Sequence, residues 1–217
     1  MIPSVKICGI TNLADAEAAI AAGAEYIGLI FAEESKRKVN RNAAQEIVDA
    51  VRGKVRTVGV FKDSPGELIG ELFAELRLDL VQFHGNESPQ LIRELALPSI
   101  KAFVIDQDFR WENVQMYAGT VDKILLDRAK NETAPGWLAS ALEIAASPPA
   151  DTPPYFFAGG LTPGNVKSVM HSALATSSKF YGVDVASGVE KSAGVKDVLK
   201  MNEFCKTVRE EAIKCGR

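Results

Sequence analysis

The chain has 217 residues, 47% of them hydrophobic and 24% charged, with 25 Lys and Arg against 28 Asp and Glu for a formal net charge of −3. These are the proportions of an ordinary globular protein, and the slight negative balance gives no electrostatic case for a nucleic acid or an acidic membrane as partner. No run approaches the roughly 20 apolar residues of a membrane span. The three cysteines, Cys8, Cys205 and Cys215, form no CxxC pair, and His84 and His171 are far apart, which disfavours both a disulfide framework and a structural zinc site. The amino terminus lacks a basic stretch followed by a long apolar core, so the expectation is a cytoplasmic, metal-free protein.

Along the chain, short β-branched or apolar runs alternate with segments of helical period. The expected strands are Val5–Cys8, Tyr26–Phe31, Val55–Phe61, Leu78–Phe83, Ser99–Val104, Lys123–Leu126, Tyr155–Ala158 and Lys179–Val183. Expected helices include Leu13–Ala22, Ala43–Val51, Pro65–Leu76, Pro89–Leu95 and Leu138–Ala146, with a last one over Val195–Lys214 and a short, poorly periodic one over Arg110–Met116. Asn12 and Asn40 stand where N-caps belong. Ser64-Pro65 and Ser88-Pro89 each place a hydroxyl before a proline at the first helical position, and Gly23 stands where a left-handed terminator belongs. The proline-rich run from Ser147 to Pro154 is a stiff loop, because strand–helix alternation resumes directly after it.

Repeated strand–helix units imply parallel strands joined by right-handed crossovers. Eight units of about 27 residues each match a (β/α)₈ barrel, the α/β TIM-barrel class, as a single domain over residues 1–217. An open doubly wound sheet is the competing architecture; no GxGxxG follows the first strand to support it.

In such a barrel, polar groups at the carboxyl ends of the strands converge on one site. Side chains alternate along a strand, so Lys6 and Cys8 share one face and Val5 and Ile7 the other. The apolar pair belongs against the helices, which turns Cys8 inward; the same parity turns Lys123, Leu125 and Asp127 inward. A lone buried cysteine commonly acts as a small hydrophobe, and an Asp ending a strand commonly caps a turn. Together at one barrel mouth they become candidates for an acid–base pair.

Gly159-Gly160 lets backbone approach a ligand closely, and Thr162-Pro163 is expected to start a helix whose free N–H groups attract an anion. Ala186-Ser187-Gly188-Val189-Glu190 reads as a short extra helical turn. Loops after the seventh and eighth strands commonly hold phosphate in this architecture. Arg37, in the basic loop after the second strand, suits bidentate pairing with a carboxylate. Gln82 and His84 share one face at the end of the fourth strand, where His84 is a substrate contact, a base or a satisfied polar residue.

With these residues in view, the sequence resembles the phosphoribosylanthranilate isomerase family of tryptophan biosynthesis. The resemblance runs from Lys6-Ile7-Cys8-Gly9-Ile10-Thr11 to Gly194-Val195-Lys196-Asp197. It passes through Gly28-Leu29-Ile30-Phe31, Ser35-Lys36-Arg37, Val58-Gly59-Val60-Phe61, Val81-Gln82-Phe83-His84-Gly85-Asn86-Glu87, Leu125-Leu126-Asp127, Ala158-Gly159-Gly160-Leu161-Thr162-Pro163 and Gly182-Val183-Asp184-Val185-Ala186-Ser187-Gly188-Val189-Glu190. Any one of these motifs is weak; their order and spacing are specific.

The resemblance implies a cofactor-free Amadori rearrangement of a small phosphorylated substrate, in a monomer or homodimer. It implies Asp127 as general acid, Cys8 as thiolate base, Arg37 on the anthranilate carboxylate and Asp184 near the anthranilate amine. Gln82 and His84 fall among the substrate contacts, and backbone N–H groups of Gly159, Gly160, Ala186 and Ser187 on the phosphate. Those roles call for a raised pKa at Asp127 and a lowered one at Cys8, which local positive charge would supply. The chain departs from the family after Asp127: in place of a glycine-rich stretch and Phe-Asp-Trp it has Arg128 to Leu138, with only Pro135-Gly136-Trp137 similar. That departure bears on rate more than on identity. The rival expectations are another phosphosugar barrel such as a ribulose-phosphate epimerase relative, a bifunctional barrel with two matching phosphate loops, and a non-catalytic phosphate-binding paralogue.

Overall fold

A computed structural model describes residues 2–128 and 136–216. The eight apolar runs form parallel strands β1 (Ser4–Cys8), β2 (Tyr26–Ile30), β3 (Arg56–Phe61), β4 (Leu80–Phe83), β5 (Ser99–Ile105), β6 (Lys123–Arg128), β7 (Tyr155–Phe157) and β8 (Phe180–Val185). They close in chain order into a barrel, β8 pairing back onto β1. The helices between them are α1 (Leu13–Ala22), α2 (Arg41–Val51), α3 (Gly66–Leu76), α4 (Pro89–Leu95), α5 (Trp111–Gln115), α6 (Trp137–Ala146), α7 (Val166–Thr176) and α8 (Val198–Lys214).

Strand parity divides the core in two. Val5, Ile7, Ile27, Leu29, Ile124 and Leu126 point outward into one cluster shared with the helices, while Val58, Leu80, Ile100, Ala102, Leu125 and Phe156 fill the barrel interior. Each such side chain contributes about 1.5–3 kcal/mol on burial. At the amino end the Tyr26, Phe156 and Tyr181 rings meet edge to face, with centroids 5.4 Å (Tyr26–Phe156) and 5.1 Å (Phe156–Tyr181) apart, and the two tyrosine hydroxyls lie 2.7 Å apart. A register shift between Tyr155 and Phe156 sets Phe156 beside Gly182, with Tyr181 left over to fill that end. The interior is thus plugged below, and only the carboxyl end is left to carry a polar site.

The cap signals hold at Asn12, Asn40 and Ser88, whose side-chain oxygens accept from the N–H of Asp15, Ala43 and Leu91, and Gly23 adopts the left-handed conformation. Three expectations are corrected. Ser64 does not cap α3: Pro65 occupies the cap position, without a side-chain bond, and the helix begins at Gly66. Thr162-Pro163 does not start α7, which begins at Val166. Asn165 folds back instead, its Oδ1 accepting from Thr162 N–H and its Nδ2 donating to the Gly160 carbonyl. The last helix starts at Val198 rather than Val195, because Glu190–Ser192 (β9) and Val195–Lys196 (β10) pair as an antiparallel hairpin. Asp197 then caps α8 through the N–H groups of Leu199 and Lys200. The expected turn after β8 is present as a 3₁₀ turn over Ser187–Val189, and β8 itself runs on through Val185, placing Asp184 within the strand.

Candidate active site

The carboxyl end of the barrel opens into a cavity of about 490 Å³, a size suited to a small organic ligand. All ten residues singled out from the sequence line it: Cys8, Arg37, Gln82, His84, Asp127, Gly159, Gly160, Asp184, Ala186 and Ser187. Cys8 enters from β1 and Asp127 from β6, three strands apart around the closed barrel.

Cys8 sits in a charged, water-poor corner. Gly28 lies beside it on β2, and a Cβ there would fall 2.6 Å from Cys8 Sγ and 3.1 Å from Lys6 Nζ, so only glycine leaves room for both. Lys6 is fully buried and donates to Asp184 Oδ1 at 2.8 Å. Burial pulls the Lys6 pKa down, but Asp184 and the Cys8 sulfur together outweigh it and hold the ammonium up at about 12. The Cys8 thiol moves opposite to the sequence expectation: it is raised, not lowered. Burial is the largest cause and the Asp184 carboxylate adds to it, while Lys6 and Lys196 oppose without prevailing. The local positive charge exists, but burial outweighs it, with the Asp184 carboxylate adding to the rise.

Arg37 is likewise already engaged. Its Nε and Nη2 each donate to a Glu190 carboxylate oxygen at 2.8 Å, a bidentate pair that raises the guanidinium pKa. Gly9, at φ +76°, makes room for it: a Cβ there would lie 2.6 Å from Arg37 Cδ. Buried Lys196 completes the cluster, donating to Glu190 Oε1 at 2.9 Å, the Cys8 carbonyl at 2.6 Å and the Ala186 carbonyl at 3.1 Å. Burial would raise the Glu190 pKa, but Arg37 and Lys196 hold it below the ordinary carboxylate value. One edge of Arg37 is therefore closed to a ligand; its Nη1 has no partner among the described residues.

Around β4 and β6 the arrangement is looser. His84 Nε2 lies 3.3 Å from Asp127 Oδ2, and its Nδ1 lies 2.9 Å from Gln82 Nε2. Gln82 Oε1 is buried without a partner among the described residues. Asp127 Oδ1 accepts from the Arg128 N–H at 2.8 Å. Gly159 and Gly160 follow at φ +84° and +66°; a Cβ on Gly159 would lie 2.4 Å from Arg128 N, so the close packing of β6 against this loop requires glycine. Gly188 is similarly constrained, by the Leu161 carbonyl 1.8 Å from its Cβ position. The N–H groups of Gly160, Ser187 and Gly188 meet no acceptor among the described residues. The atypical stretch after Asp127 falls largely outside the described residues, at 129–135; Arg128 and Trp137, which bracket it, are described.

Sequence reasoning missed Glu190 as the partner of both Arg37 and Lys196, and Arg128 as a lining residue; Lys6 was legible only as a direction. Among the described residues, no group of three or more His, Cys, Asp or Glu is placed to hold a metal ion, and no helix is long and apolar enough to cross a membrane.

The N-(5′-phosphoribosyl)anthranilate (PRA) isomerase family profile matches residues 5–207. The chain is 37% identical over 217 residues to N-(5′-phosphoribosyl)anthranilate isomerase of Rhodospirillum rubrum, covering 95% of this chain and 97% of that one. It is 38% identical over 208 residues to the Pseudomonas fluorescens (strain SBW25) enzyme, covering 95% and 96%. The crystal structure of phosphoribosyl anthranilate isomerase from Thermotoga maritima superposes with a TM-score of 0.84 at 31% identity, covering 96% of this chain and 99% of that one. A phosphoribosyl anthranilate isomerase in complex with reduced 1-(o-carboxyphenylamino)-1-deoxyribulose 5-phosphate superposes at 0.80 with 30% identity, over 96% and 99%. A closed eight-stranded barrel with this cavity at its carboxyl end, matched over nearly its whole length, belongs to the phosphoribosylanthranilate isomerase family: the chain is an aldose–ketose isomerase of tryptophan biosynthesis.

Proposed function

We propose that Asp127 and Cys8 divide the proton transfers of the rearrangement, Asp127 as general acid and Cys8 as general base. The observation that carries this reading is their placement: one carboxyl and one thiol line the same cavity from separate strands. The Asp127 carboxyl gives its proton to the ribose ring oxygen as the C1′–O bond breaks. The nitrogen lone pair then forms the C1′=N bond, giving a protonated Schiff base. The Cys8 thiolate takes the C2′ proton, and the released electron pair moves into C1′–C2′ while the C=N pair returns to nitrogen. The resulting enolamine tautomerises to 1-(2-carboxyphenylamino)-1-deoxyribulose 5-phosphate.

The raised thiol pKa fits this sequence of events. The cationic Schiff base arises only after ring opening, and a cation beside a thiol favours its ionised form. Thiolate is thus generated when it is needed, the thiol's proton leaving to bulk water through the open mouth, with Lys6 the neighbouring cation that favours the ionised form against burial.

The remaining residues take binding roles. The free end of Arg37 meets the anthranilate carboxylate while Glu190 fixes its other edge. Asp184 faces the anthranilate amine from its Lys6 pair. The orphaned Gln82 Oε1 accepts from a sugar hydroxyl, which removes an otherwise costly buried acceptor. His84 holds the Asp127 carboxyl in register. The phosphate rests on the backbone N–H groups of the loops after β7 and β8, around Gly159, Gly160, Ala186 and Ser187, through the turns rather than through α7. The relative crystallised with a reduced phosphorylated product supports this substrate class. The reaction needs no nucleic acid, membrane or cofactor, and a reducing cytoplasm would keep Cys8 a thiol; a monomer or homodimer presents the same mouth.

The test is turnover of phosphoribosylanthranilate, followed by loss of its fluorescence. General acid–base groups contribute about 10²–10⁴-fold, so Cys8→Ser and Asp127→Asn should each lower kcat by that order while keeping wild-type urea unfolding midpoints. Folded variants with near-wild-type kcat would remove the assignment.

A further inference from the structure

We propose that Arg128 is a phosphate-binding side chain of this site, adding a charged fork to a pocket otherwise built from backbone N–H groups. The inference rests on placing the phosphate at the loops after β7 and β8, and it names the residue that completes that subsite. Arg128 closes β6 immediately after Asp127, and its side chain lines the cavity. The guanidinium lies against the second glycine of the β7 loop: a Cβ on Gly160 would fall 3.0 Å from Arg128 Cζ and Nη1 and 3.3 Å from Nη2.

Two further observations show that this cation is held in place and has no carboxylate against it among the described residues. Its Cζ stands 4.9 Å from the centroid of the Trp137 ring, at the start of α6. Stacking of this kind restrains the plane of the guanidinium while leaving its N–H edges unused. The other cations deep in the mouth are matched by carboxylates, Lys6 by Asp184 and both Arg37 and Lys196 by Glu190. Arg128 has no carboxylate partner among the described residues. A planar fork over an indole and against Gly160, in the cavity that Ser187 also lines, with the N–H groups of Gly160, Ser187 and Gly188 unpaired among the described residues, is an arrangement for an oxyanion with several oxygens. The substrate's phosphate is the dianion present.

The same loop geometry ties recognition to the acid. The Arg128 N–H donates to Asp127 Oδ1 at 2.8 Å, so anchoring the Arg128 side chain on phosphate fixes the backbone that orients the proton donor.

The test is an amide NMR titration of the protein with inorganic phosphate, on wild type, Arg128→Gln and Arg128→Lys, paired with the isomerisation kinetics of each. Phosphate should shift the Gly160, Ser187 and Gly188 amides of wild type. Loss of a charge-assisted bond of about 1.5–3 kcal/mol corresponds to about 10–150-fold, so Arg128→Gln should weaken phosphate binding by a factor in that range. Its KM should rise by a similar factor and its kcat fall by less, while Arg128→Lys recovers part of both. Shifts at those amides with the same affinity in wild type and Arg128→Gln would overturn the role of Arg128 alone. Phosphate binding to wild type without shifts at those amides would overturn the phosphate placement itself.

Discussion

The two sides of the barrel mouth are built on opposite electrostatic plans. On the wall formed by β1, β2 and β8 with the β9–β10 hairpin, buried or half-buried cations are matched internally: Lys6 with Asp184 at 2.8 Å, and Arg37 and Lys196 with Glu190 at 2.8 and 2.9 Å. On the wall formed by β6 and the loops after β7 and β8, Arg128 and a row of backbone N–H groups have no carboxylate opposite them among the described residues. Buried charges must be paired where no ligand will compensate them. The difference therefore separates a wall that holds a thiol and an arginine in fixed positions from one left open for an anion.

The largest effect expected from breaking the matched wall follows Lys6→Met. It leaves Asp184 buried without its cation, and removing one partner of a buried pair costs about 3–5 kcal/mol. Urea unfolding should show a loss of that size, and kcat should fall as the thiol loses its nearest positive charge. In wild type the Lys6 pKa is raised, so its contribution is fully present below the ordinary lysine value of about 10.4. It is lost as pH rises from there through about 12. Lys6→Met should lack that alkaline loss, so an identical alkaline midpoint in both proteins would contradict the pairing.

A smaller effect is expected at the edge where the matched wall meets the ligand. Arg37→Ala removes a charge-assisted contact of about 1.5–3 kcal/mol, which should raise KM about 10–150-fold with a lesser change in kcat. Lys196 still compensates Glu190 in that variant, so the urea midpoint should move less than in Lys6→Met. An unchanged KM would mean that Arg37 serves Glu190 only, as a structural strut.

Much of this was legible in the sequence, for reasons of local physics. Strand parity alone turned Cys8 and Asp127 inward and Val5, Ile7, Ile124 and Leu126 outward, and all lie so. Asn12, Asn40 and Ser88 cap their helices because a side-chain oxygen one turn from a free N–H needs no distant help. What was not legible depends on partners far along the chain. Arg37 and Glu190 are 153 residues apart, and nothing near either announces the pair. The Cys8 shift is set first by burial behind Gly28, with Asp184 adding to it, and both are supplied by neighbouring strands. Thr162-Pro163 has the residues of a helix start, but the Asn165 side chain spends its bonds on Thr162 and Gly160, and α7 waits until Val166.

The central claim is that the Cys8 thiolate, scarce in the free protein, is the base. The most direct measurement sets the pH profile of kcat/KM beside the titration of the Cys8 thiol, read as the ultraviolet difference between wild type and Cys8→Ser. Because kcat/KM reports the free enzyme, its rising limb should coincide with that titration, and both should lie above the ordinary thiol value of 9.0. A limb that rises below the thiol titration, or that survives unchanged in Cys8→Ser, would show that another group takes the C2′ proton.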